Sequence, residues 1–394
     1  EASGTNLTIA VGGTHGDIDL VGNGVVFTSG THTVSGQVTA GVGSSFNVSG
    51  ATMEFADNSG FNLTGNLNFS SGAINLTGTV TGATVAAGST LTLDSKALGG
   101  SGKLTNLGTF NFNNSSIAGT LINQGTLNIN SGSSAINGAA FDLTGGSVTI
   151  AGGASLSKNG GAFNWSGGAL NGSGNFIPSG GAVVNVNGLG ALVLDGPNLN
   201  ADSFNIAGGG TLDVLSGSLG IAGGNLVSGS TLTLSGGTFT NSGALNVAGT
   251  LDLAGGTLLG AGTLNVSGTL EHTGVGPTAI PNVLNNTGLV VASNGTLSLE
   301  GGGTHTGTFL ANNSATIDFQ SGTHNFADGT VFSGPGNFDG GGVLNVTGST
   351  SGLQFAAGTT INLNALALGG SGNLTNLGSV SGTSLTLPGN FTNQ

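Results

Sequence analysis

Several residue types are missing from this sequence, or nearly so. Cysteine, tyrosine and arginine are absent, and only 3 lysines and 16 acidic residues carry formal charge among 394 residues. The absence of cysteine excludes disulfides, thiolate metal sites and thiol catalysis. Three cations cannot build a phosphate-binding surface, so we expect no nucleic-acid partner. No apolar stretch approaches the roughly 18–20 residues of a membrane-spanning helix, so we expect no membrane span in this chain.

Glycine, in contrast, is abundant, with 81 residues. It does not recur at every third position and there are only 6 prolines, which excludes a collagen helix. Hydrophobic residues make up 37% of the chain, more than a solvated, disordered linker carries. The composition therefore predicts an ordered fold that gains its stability from a periodic arrangement.

The sequence repeats itself about every 19 residues. Residues 234–252 (LSGGTFTNSGALNVAGTLD) match residues 253–271 (LAGGTLLGAGTLNVSGTLE) without a gap. Apolar residues alternate with Thr, Asn or Ser, which indicates short, half-buried strands. A second motif, L/F-x-N-x-G, predicts tight corners, because Asn and Gly tolerate a positive φ. This motif occurs at 104–108, 121–125, 239–243, 284–288 and 374–378.

A unit of this kind can bury its apolar face only by stacking on copies of itself. The sequence therefore predicts an all-β fold, a single-stranded parallel β-helix (β-solenoid) with about 19–22 residues per coil and about twenty coils. We expect one continuous rod over residues 1–394, on the order of 90–100 Å long. Stacked Leu, Val, Ile and Phe would form the core, and corner Asn side chains would form amide ladders. The scarcity of charge fits, because in-register stacking would place like charges side by side.

A longer duplication is also present. Residues from about 23 to 108 match residues from about 294 to 378, and the tripeptide FAD at 55–57 aligns with FAD at 326–328. Whole stacks of coils copied together would produce such a match. The least regular stretch, 272–288, contains two prolines and is predicted to interrupt the stack locally.

The repeats resemble a known class of protein. Tandem GxLxNxGxLxV units of about 19 residues are similar to those of filamentous-haemagglutinin-type and autotransporter passenger proteins. The segment WSGGALNGSGNF at 165–176 is similar to repeats of large bacterial surface proteins. The resemblance implies a secreted, right-handed β-helix. Without an NPNG-type secretion motif near the start or a C-terminal barrel, it implies that this chain is the rod-like passenger portion, and we expect a mature or excised piece.

The histidines are the first candidates for chemistry. Four of the five stand in Gly-Thr-His tripeptides, at His15, His32, His305 and His324, and the fifth is His272. The members of each pair lie about one coil apart, so a metal ladder is one interpretation. The favoured interpretation is a corner tripeptide repeated at one position of the coil, and we predict no metal site.

The acidic residues offer little. Asp17 and Asp19 alternate along a predicted strand, but a Ca²⁺ ion needs more oxygens than two carboxylates supply, so a solvated face is favoured. Glycosidases need a carboxylate pair, and polysaccharide lyases need basic residues that stabilise an anion. The acids are scattered, and only Lys96 has an acid beside it, at Asp94. We therefore predict no catalytic residue, no cofactor and no enzymatic activity.

Thr-x-Thr rows on a flat face can order ice or bind sugars. The pairs Thr90/Thr92 and Thr231/Thr233 fit this pattern, but the following segment 251–266 has Asp and Asn in place of Thr. Ordinary outward-facing residues with good strand propensity are the favoured interpretation.

The two ends of the sequence indicate self-association. The final residues, FTNQ at 391–394, break off an L/F-x-N-x-G motif, and residues 1–9 resemble 291–299. A second copy supplying the next coil would give a head-to-tail filament. We predict an extracellular or cell-surface structural rod that assembles into a fibre or matrix. The alternatives are an adhesin that binds a surface or glycan through a lateral face and, less favoured, a carbohydrate-active β-helix enzyme.

Overall fold

The protein is an all-β solenoid of parallel strands. The computed structural model describes residues 7–64, 66–188, 190–362, 368–381 and 390–394. These residues form strands joined by turns and contain no helix. Among them there is accordingly no helix long and apolar enough to cross a membrane. Strands of successive turns pair in parallel, as predicted. The stack has about 18 turns rather than about twenty.

The strands are short, and most have three to five residues. In the first half of the chain they are β1 (Leu7–Ile9), β2 (Gly13–His15), β3 (Ile18–Leu20), β4 (Gly24–Phe27), β5 (Thr31–Val34), β6 (Gln37–Ala40), β7 (Ser45–Phe55), β8 (Gly60–Leu63), β9 (Asn66–Leu76), β10 (Ala83–Val85), β11 (Thr90–Asp94), β12 (Ala97–Gly99), β13 (Lys103–Asn106), β14 (Thr109–Asn113), β15 (Ser116–Ile117), β16 (Thr120–Asn123), β17 (Thr126–Ile129), β18 (Ser133–Ile136), β19 (Ala140–Ile150), β20 (Ser155–Asn159), β21 (Ala162–Gly172), β22 (Asn175–Ser179), β23 (Val183–Val186), β24 (Ala191–Asp195) and β25 (Asn198–Ala201).

In the second half they are β26 (Ser203–Ile206), β27 (Thr211–Val214), β28 (Ser218–Leu226), β29 (Thr231–Leu234), β30 (Thr238–Val247), β31 (Thr250–Leu253), β32 (Thr257–Leu259), β33 (Thr263–Val266), β34 (Thr269–His272), β35 (Pro277–Ile280), β36 (Val283–Asn286), β37 (Leu289–Ala292), β38 (Thr296–Leu299), β39 (Gly303–His305), β40 (Thr308–Ala311), β41 (Thr316–Phe319), β42 (Thr323–Phe326), β43 (Thr330–Ser333), β44 (Asn337–Gly340), β45 (Val343–Val346), β46 (Leu353–Phe355), β47 (Thr360–Asn362), β48 (Leu368–Gly370), β49 (Asn373–Asn376), β50 (Ser379–Ser381) and β51 (Asn390–Asn393).

The chain divides into two compact units. The first comprises residues 1–185 and 195–202, and the second comprises residues 186–194 and 203–394. The single continuous rod expected from the repeats stays a prediction.

Turn length varies more than the sequence suggested. Lys103 pairs in register with Thr120, which makes a short turn, whereas Gly60 pairs with Thr84, which makes a much longer one. Insertions at the corners lengthen some turns without disturbing the strands, so the chain makes fewer turns than a repeat of fixed length would give.

The core consists of apolar columns, as predicted. In the second unit one column runs through eight successive turns, and every member is at least 98% buried. Its members are Leu212, Leu232, Leu251, Leu270, Val290, Phe309, Phe332 and Phe355. The alternating pattern creates this arrangement, because residues with even spacing share one face of a strand. Thr and other polar residues between them face outward.

Outward-facing asparagines form the amide ladders that the sequence predicted. In the second unit each Nδ2 donates to the Oδ1 of the preceding turn at 2.9–3.0 Å, through Asn205, Asn225, Asn246, Asn265 and Asn285. The Oδ1 of Asn285 then accepts the backbone N–H of Thr304 at 3.1 Å. The ladder therefore links six consecutive turns on one outer face.

The L/F-x-N-x-G motif works differently from the prediction. Its five asparagines are buried, and all lie in the described part of the chain: Asn106, Asn123, Asn241, Asn286 and Asn376. None of them has a positive φ, so the predicted corner conformation is wrong. Most donate Nδ2 to a backbone carbonyl of the next turn, at 3.0–3.2 Å. The motif therefore places an amide inside the coil, where it satisfies corner carbonyl groups.

The glycine of the same motif is required by close contact between turns. A Cβ at Gly243 would overlap the carbonyl oxygen of Ala222 on the preceding turn. We expect Gly243→Ala to lower the free energy of unfolding by about 1–3 kcal/mol, because the two turns must part. Urea denaturation followed by circular dichroism measures the change. Gly276→Ala is the matched control, since an added Cβ there meets no atom within 4 Å, and equal losses in the two variants would contradict this reason.

The duplicated blocks share a structural device at the corner after the FAD tripeptide. The Oδ1 of Asp57 accepts the backbone N–H groups of Val80, Thr81 and Gly82 at 2.8–3.0 Å. The Oδ1 of Asp328 accepts three N–H groups, from residues 350–352, at 2.7–2.9 Å. These hydrogen bonds lower the pKa of both carboxyls. Gly65 and residues 363–367 of the two blocks lie outside the described residues.

The stretch 272–288 contains regular strands. β36 pairs in register with β33, and β35 pairs in register with β38. His272 is the last residue of β34, and its ring fixes the loop that leads from β34 to β35. Its Nδ1 lies 2.8 Å from the carbonyl oxygen of Leu253, and its Nε2 lies 2.8 Å from that of Gly276.

Candidate functional site

The four Gly-Thr-His histidines form two pairs inside the coil. The sequence placed these tripeptides at one coil position, and that interpretation is wrong. His32 pairs in register with Gly13, and His324 pairs in register with Gly303. The tripeptides are therefore offset along the strand, which keeps both side chains on the inner face and brings the rings together diagonally.

Each pair is joined by a direct hydrogen bond between imidazoles. The Nε2 of His15 lies 2.9 Å from the Nδ1 of His32, and the Nε2 of His305 lies 3.1 Å from the Nδ1 of His324. The rings are roughly parallel, with interplanar angles of 26° and 21°. The same arrangement thus arises in each unit.

Hydrogen-bond partners determine which ring nitrogens carry hydrogen. The Nε2 of His324 lies 3.1 Å from the carbonyl oxygen of Ser321, and that of His32 lies 2.9 Å from that of Ser29. A carbonyl oxygen only accepts, so the Nε2 atoms of His32 and His324 carry hydrogen. The Nδ1 atom of each of these two rings is therefore an acceptor. His15 and His305 therefore donate from Nε2. In the second pair this leaves the Nδ1 of His305 buried without a hydrogen-bond partner.

The surroundings of the second pair are aromatic. The His305 ring lies 5.0 Å from Phe309 and 5.3 Å from Phe326, and the His324 ring lies 5.0 Å from Phe319, between centroids. Both histidines are fully buried. Burial, with a smaller contribution from the charge of His324, lowers the pKa of His305 to about 3. Burial lowers the pKa of His324 to about 4, so both rings are neutral at pH 7.

The first pair is more open. His32 is fully buried, whereas His15 is half-buried. Phe27 packs against both rings, with centroids 5.7 Å from His15 and 4.7 Å from His32. Burial, followed by the charge of His32, lowers the pKa of His15. As in the second pair, the two rings share a single hydrogen between facing nitrogens.

The predicted solvated acids are found where expected. Asp17 and Asp19 are both exposed, and the Oδ1 of Asp17 accepts the backbone N–H of Gln37 at 2.8 Å. Over the ranges that the structure describes, no three or more His, Cys, Asp or Glu side chains are grouped so that they could hold a metal ion.

Two carboxylate pairs escaped the sequence reasoning. Asp252 pairs in register with Glu271, and Asp318 pairs in register with Asp339. Burial raises the pKa of Asp252, and the neighbouring Glu271 adds to the effect. Burial likewise raises the pKa of Asp318, with contributions from Asp339 and Glu300. In each pair the two acids stand one turn apart along the sequence, and this spacing was the signal that could have revealed them.

One lysine is also placed unexpectedly. Lys158 is fully buried in β20, where its Nζ donates to the carbonyl oxygens of Gly138, at 2.7 Å, and of Gly160. Burial lowers its pKa. The two carbonyls lie at corners of adjacent turns, so the ammonium group satisfies backbone acceptors there.

Fold and interior together define the class of this protein: a parallel β-solenoid whose regular columns are interrupted by a few polar interior groups. No protein-family model, curated protein or solved structure matches the chain.

Proposed function

We propose that this chain is a structural repeat protein of the cell exterior that forms a rigid, right-handed rod and assembles head to tail into a fibre or matrix. The observation that supports this most strongly is the continuity of the inner columns. Eight buried apolar residues stack in register through consecutive turns of the second unit, and the backbone hydrogen bonds join each turn to the next. Such a stack resists deformation along its axis without any binding partner.

The proposal of head-to-tail growth follows from the parallel pairing that joins successive turns. Among the described strands, β51 pairs only with β49, and the side chain of its Phe391 is 40% exposed. The Oδ1 of Asn393 accepts a hydrogen bond from the Nδ2 of Asn376 at 2.7 Å, so side-chain amides as well as the backbone join β49 to β51. A turn of a second copy that stacked on this chain would use the same parallel pairing that joins successive turns. Residues 1–6, which carry part of the similarity to 291–299, lie outside the described residues.

The proposal includes no catalysis and no cofactor. Both in-register carboxylate pairs lie on strands, and hydroxyl groups bind the first of them. Thr273 Oγ1 donates to Asp252 at 2.7 Å, and Ser293 Oγ donates to Glu271 at 2.6 Å.

A location outside the cell and kinship with passenger-type bacterial repeats belong to the same proposal, and they rest on the repeat pattern.

Negative-stain electron microscopy of the purified chain tests the assembly. A continuous stack of about 18 turns at ~4.8 Å per turn predicts an axial repeat of roughly 85–90 Å. We expect filaments that lengthen with protein concentration. Short particles of uniform length at all concentrations would contradict head-to-tail assembly.

A second candidate function is adhesion through a lateral face. The Asn205–Asn285 ladder presents uncharged amides at regular spacing on an outer surface, and such groups suit the hydroxyls of a glycan. Uniform short particles that bind on a glycan array would favour this candidate over the fibre.

A further inference from the structure

We propose that the His15–His32 pair is a two-coordinate binding site for a soft monovalent cation, Cu(I) or Ag(I). The Nε2 of His15 and the Nδ1 of His32 face each other at 2.9 Å across one hydrogen. Linear coordination uses the same two atoms along the same line, with the cation in place of the hydrogen. This inference does not depend on the proposed structural role.

The pair accepts a cation without net loss of a proton. The carbonyl oxygen of Ser29 keeps the hydrogen of His32 on Nε2, so the lone pair of its Nδ1 already points at His15. His15 must move its hydrogen from Nε2 to Nδ1, which leaves the ring neutral. Because His15 is half-buried, water can carry this hydrogen from one ring nitrogen to the other.

The geometry allows the rings to separate. Metal–imidazole bonds of about 2 Å need the two nitrogens about 4 Å apart, so the rings must part by about 1 Å. His15 stands on β2, which pairs with β5 and with no other described strand. The half-buried ring of His15 can take up this movement by turning towards solvent.

The surroundings favour a soft ion over a hard one. Phe27 covers both rings, and Met53, fully buried, is the residue in register with His32 on the next turn. Ca²⁺ and Mg²⁺ require several oxygen ligands, and Zn²⁺ requires four ligands in most protein sites. Two imidazoles packed against an aromatic ring, with a buried thioether residue on the next turn, suit an ion of low coordination number and soft character.

The second pair provides an internal comparison. His305 and His324 face each other in the same way, but both are fully buried. β39 is paired on both sides, with β36 and with β42. A cation would also force a hydrogen onto the Nδ1 of His305, which is buried without an acceptor. We therefore expect no cation at this pair.

Titration with Ag(I), followed by calorimetry and native mass spectrometry, tests the assignment. We expect one bound equivalent in the unaltered chain and at least tenfold weaker binding in the variant His15→Val/His32→Leu. The control His305→Val/His324→Leu is expected to bind as the unaltered chain does. Unchanged binding in the first variant, or loss of binding in the control alone, would overturn the proposal.

A spectroscopic measurement on the unaltered chain covers the case in which the first variant does not fold. The ¹⁵N chemical shifts of His15 report which ring nitrogen carries hydrogen. Ag(I) should move the protonated position from Nε2 to Nδ1. Shifts that stay constant while Ag(I) binds would place the ion elsewhere and refute the site.

Discussion

Acidification from pH 7 to pH 4 is expected to lower the free energy of unfolding by on the order of 6 kcal/mol through the His305–His324 pair. Burial keeps both rings neutral in the folded state, with pKa values of about 3 and about 4. In the unfolded chain both titrate near the ordinary value of 6.5. Protons therefore bind the unfolded state first, and stability is lost as the pH falls from about 6.5 towards 4. Urea titrations at several pH values measure this loss.

The duplicated block supplies the matched control. In the alignment that superimposes the two FAD tripeptides, Val34 and Met53 occupy the positions of His305 and His324. Both of these residues are fully buried, so the coil accommodates apolar side chains at these positions. The double variant His305→Val/His324→Met should lose much less stability between pH 7 and pH 4. The same loss in both proteins would contradict a histidine origin.

Other titrating groups do not confuse the comparison. The lowered pKa values of Asp57 and Asp328 mean that these carboxylates lose their contribution only as the pH falls below about 3.8. The raised values of Asp252, Asp318 and Asp339 act in the opposite direction, because the folded state takes up these protons more readily. All five residues are present in both proteins, so their effects cancel in the difference.

The second large effect is expected from Phe332→Ala, at about 3–5 kcal/mol of unfolding free energy. Phe332 is 2% exposed and lies between Phe309 and Phe355 in its column, with ring centroids 5.4 and 5.6 Å away. Phe338 stacks on it at 4.7 Å. Removing the ring leaves a cavity that neighbouring turns cannot fill, because each is fixed by its own strand pairing.

Chemical denaturation gives the size of this loss. Phe391→Ala is the control, since its ring is 40% exposed and little apolar area leaves water there. The explanation by cavity formation would be wrong if the two substitutions cost the same.

Much of the fold could be predicted from the sequence because one physical rule dominates it. Alternation of Leu or Val with Thr or Asn determines which residues face inward, as in β29 and β31, and the length of the repeat determines what stacks on what. The number of turns was overestimated because corner insertions, such as those between Gly60 and Thr84, do not change the alternation. The role of Asn-x-Gly was misjudged because the propensity for positive φ does not reveal whether an amide points inward.

The candidate site was harder to predict because it depends on register. A small offset between tripeptides decides whether His15 is in register with His32 or with Val34, and the spacing of the tripeptides alone does not contain that offset. Asp252 and Glu271 are neighbours because their spacing along the sequence equals one turn, with no offset between the strands. The alternation in β20 places Lys158 on the same inner face as Leu156, but the charge of its side chain argued against burial, and the carbonyl oxygens that bind it come from other parts of the chain.

The rare polar groups inside the coil also identify individual turns. A chain of near-identical turns can pair one full turn out of register and still bury most of its apolar residues, so folding could stall in shifted states. Such a shift would separate the ammonium group of Lys158 from the carbonyl oxygen of Gly138, and would part His305 from His324. Each error would leave a buried donor or charge without its partner, at a cost of several kcal/mol. These few residues therefore favour the one register in which each turn pairs with its correct neighbour, although the turns are otherwise nearly alike.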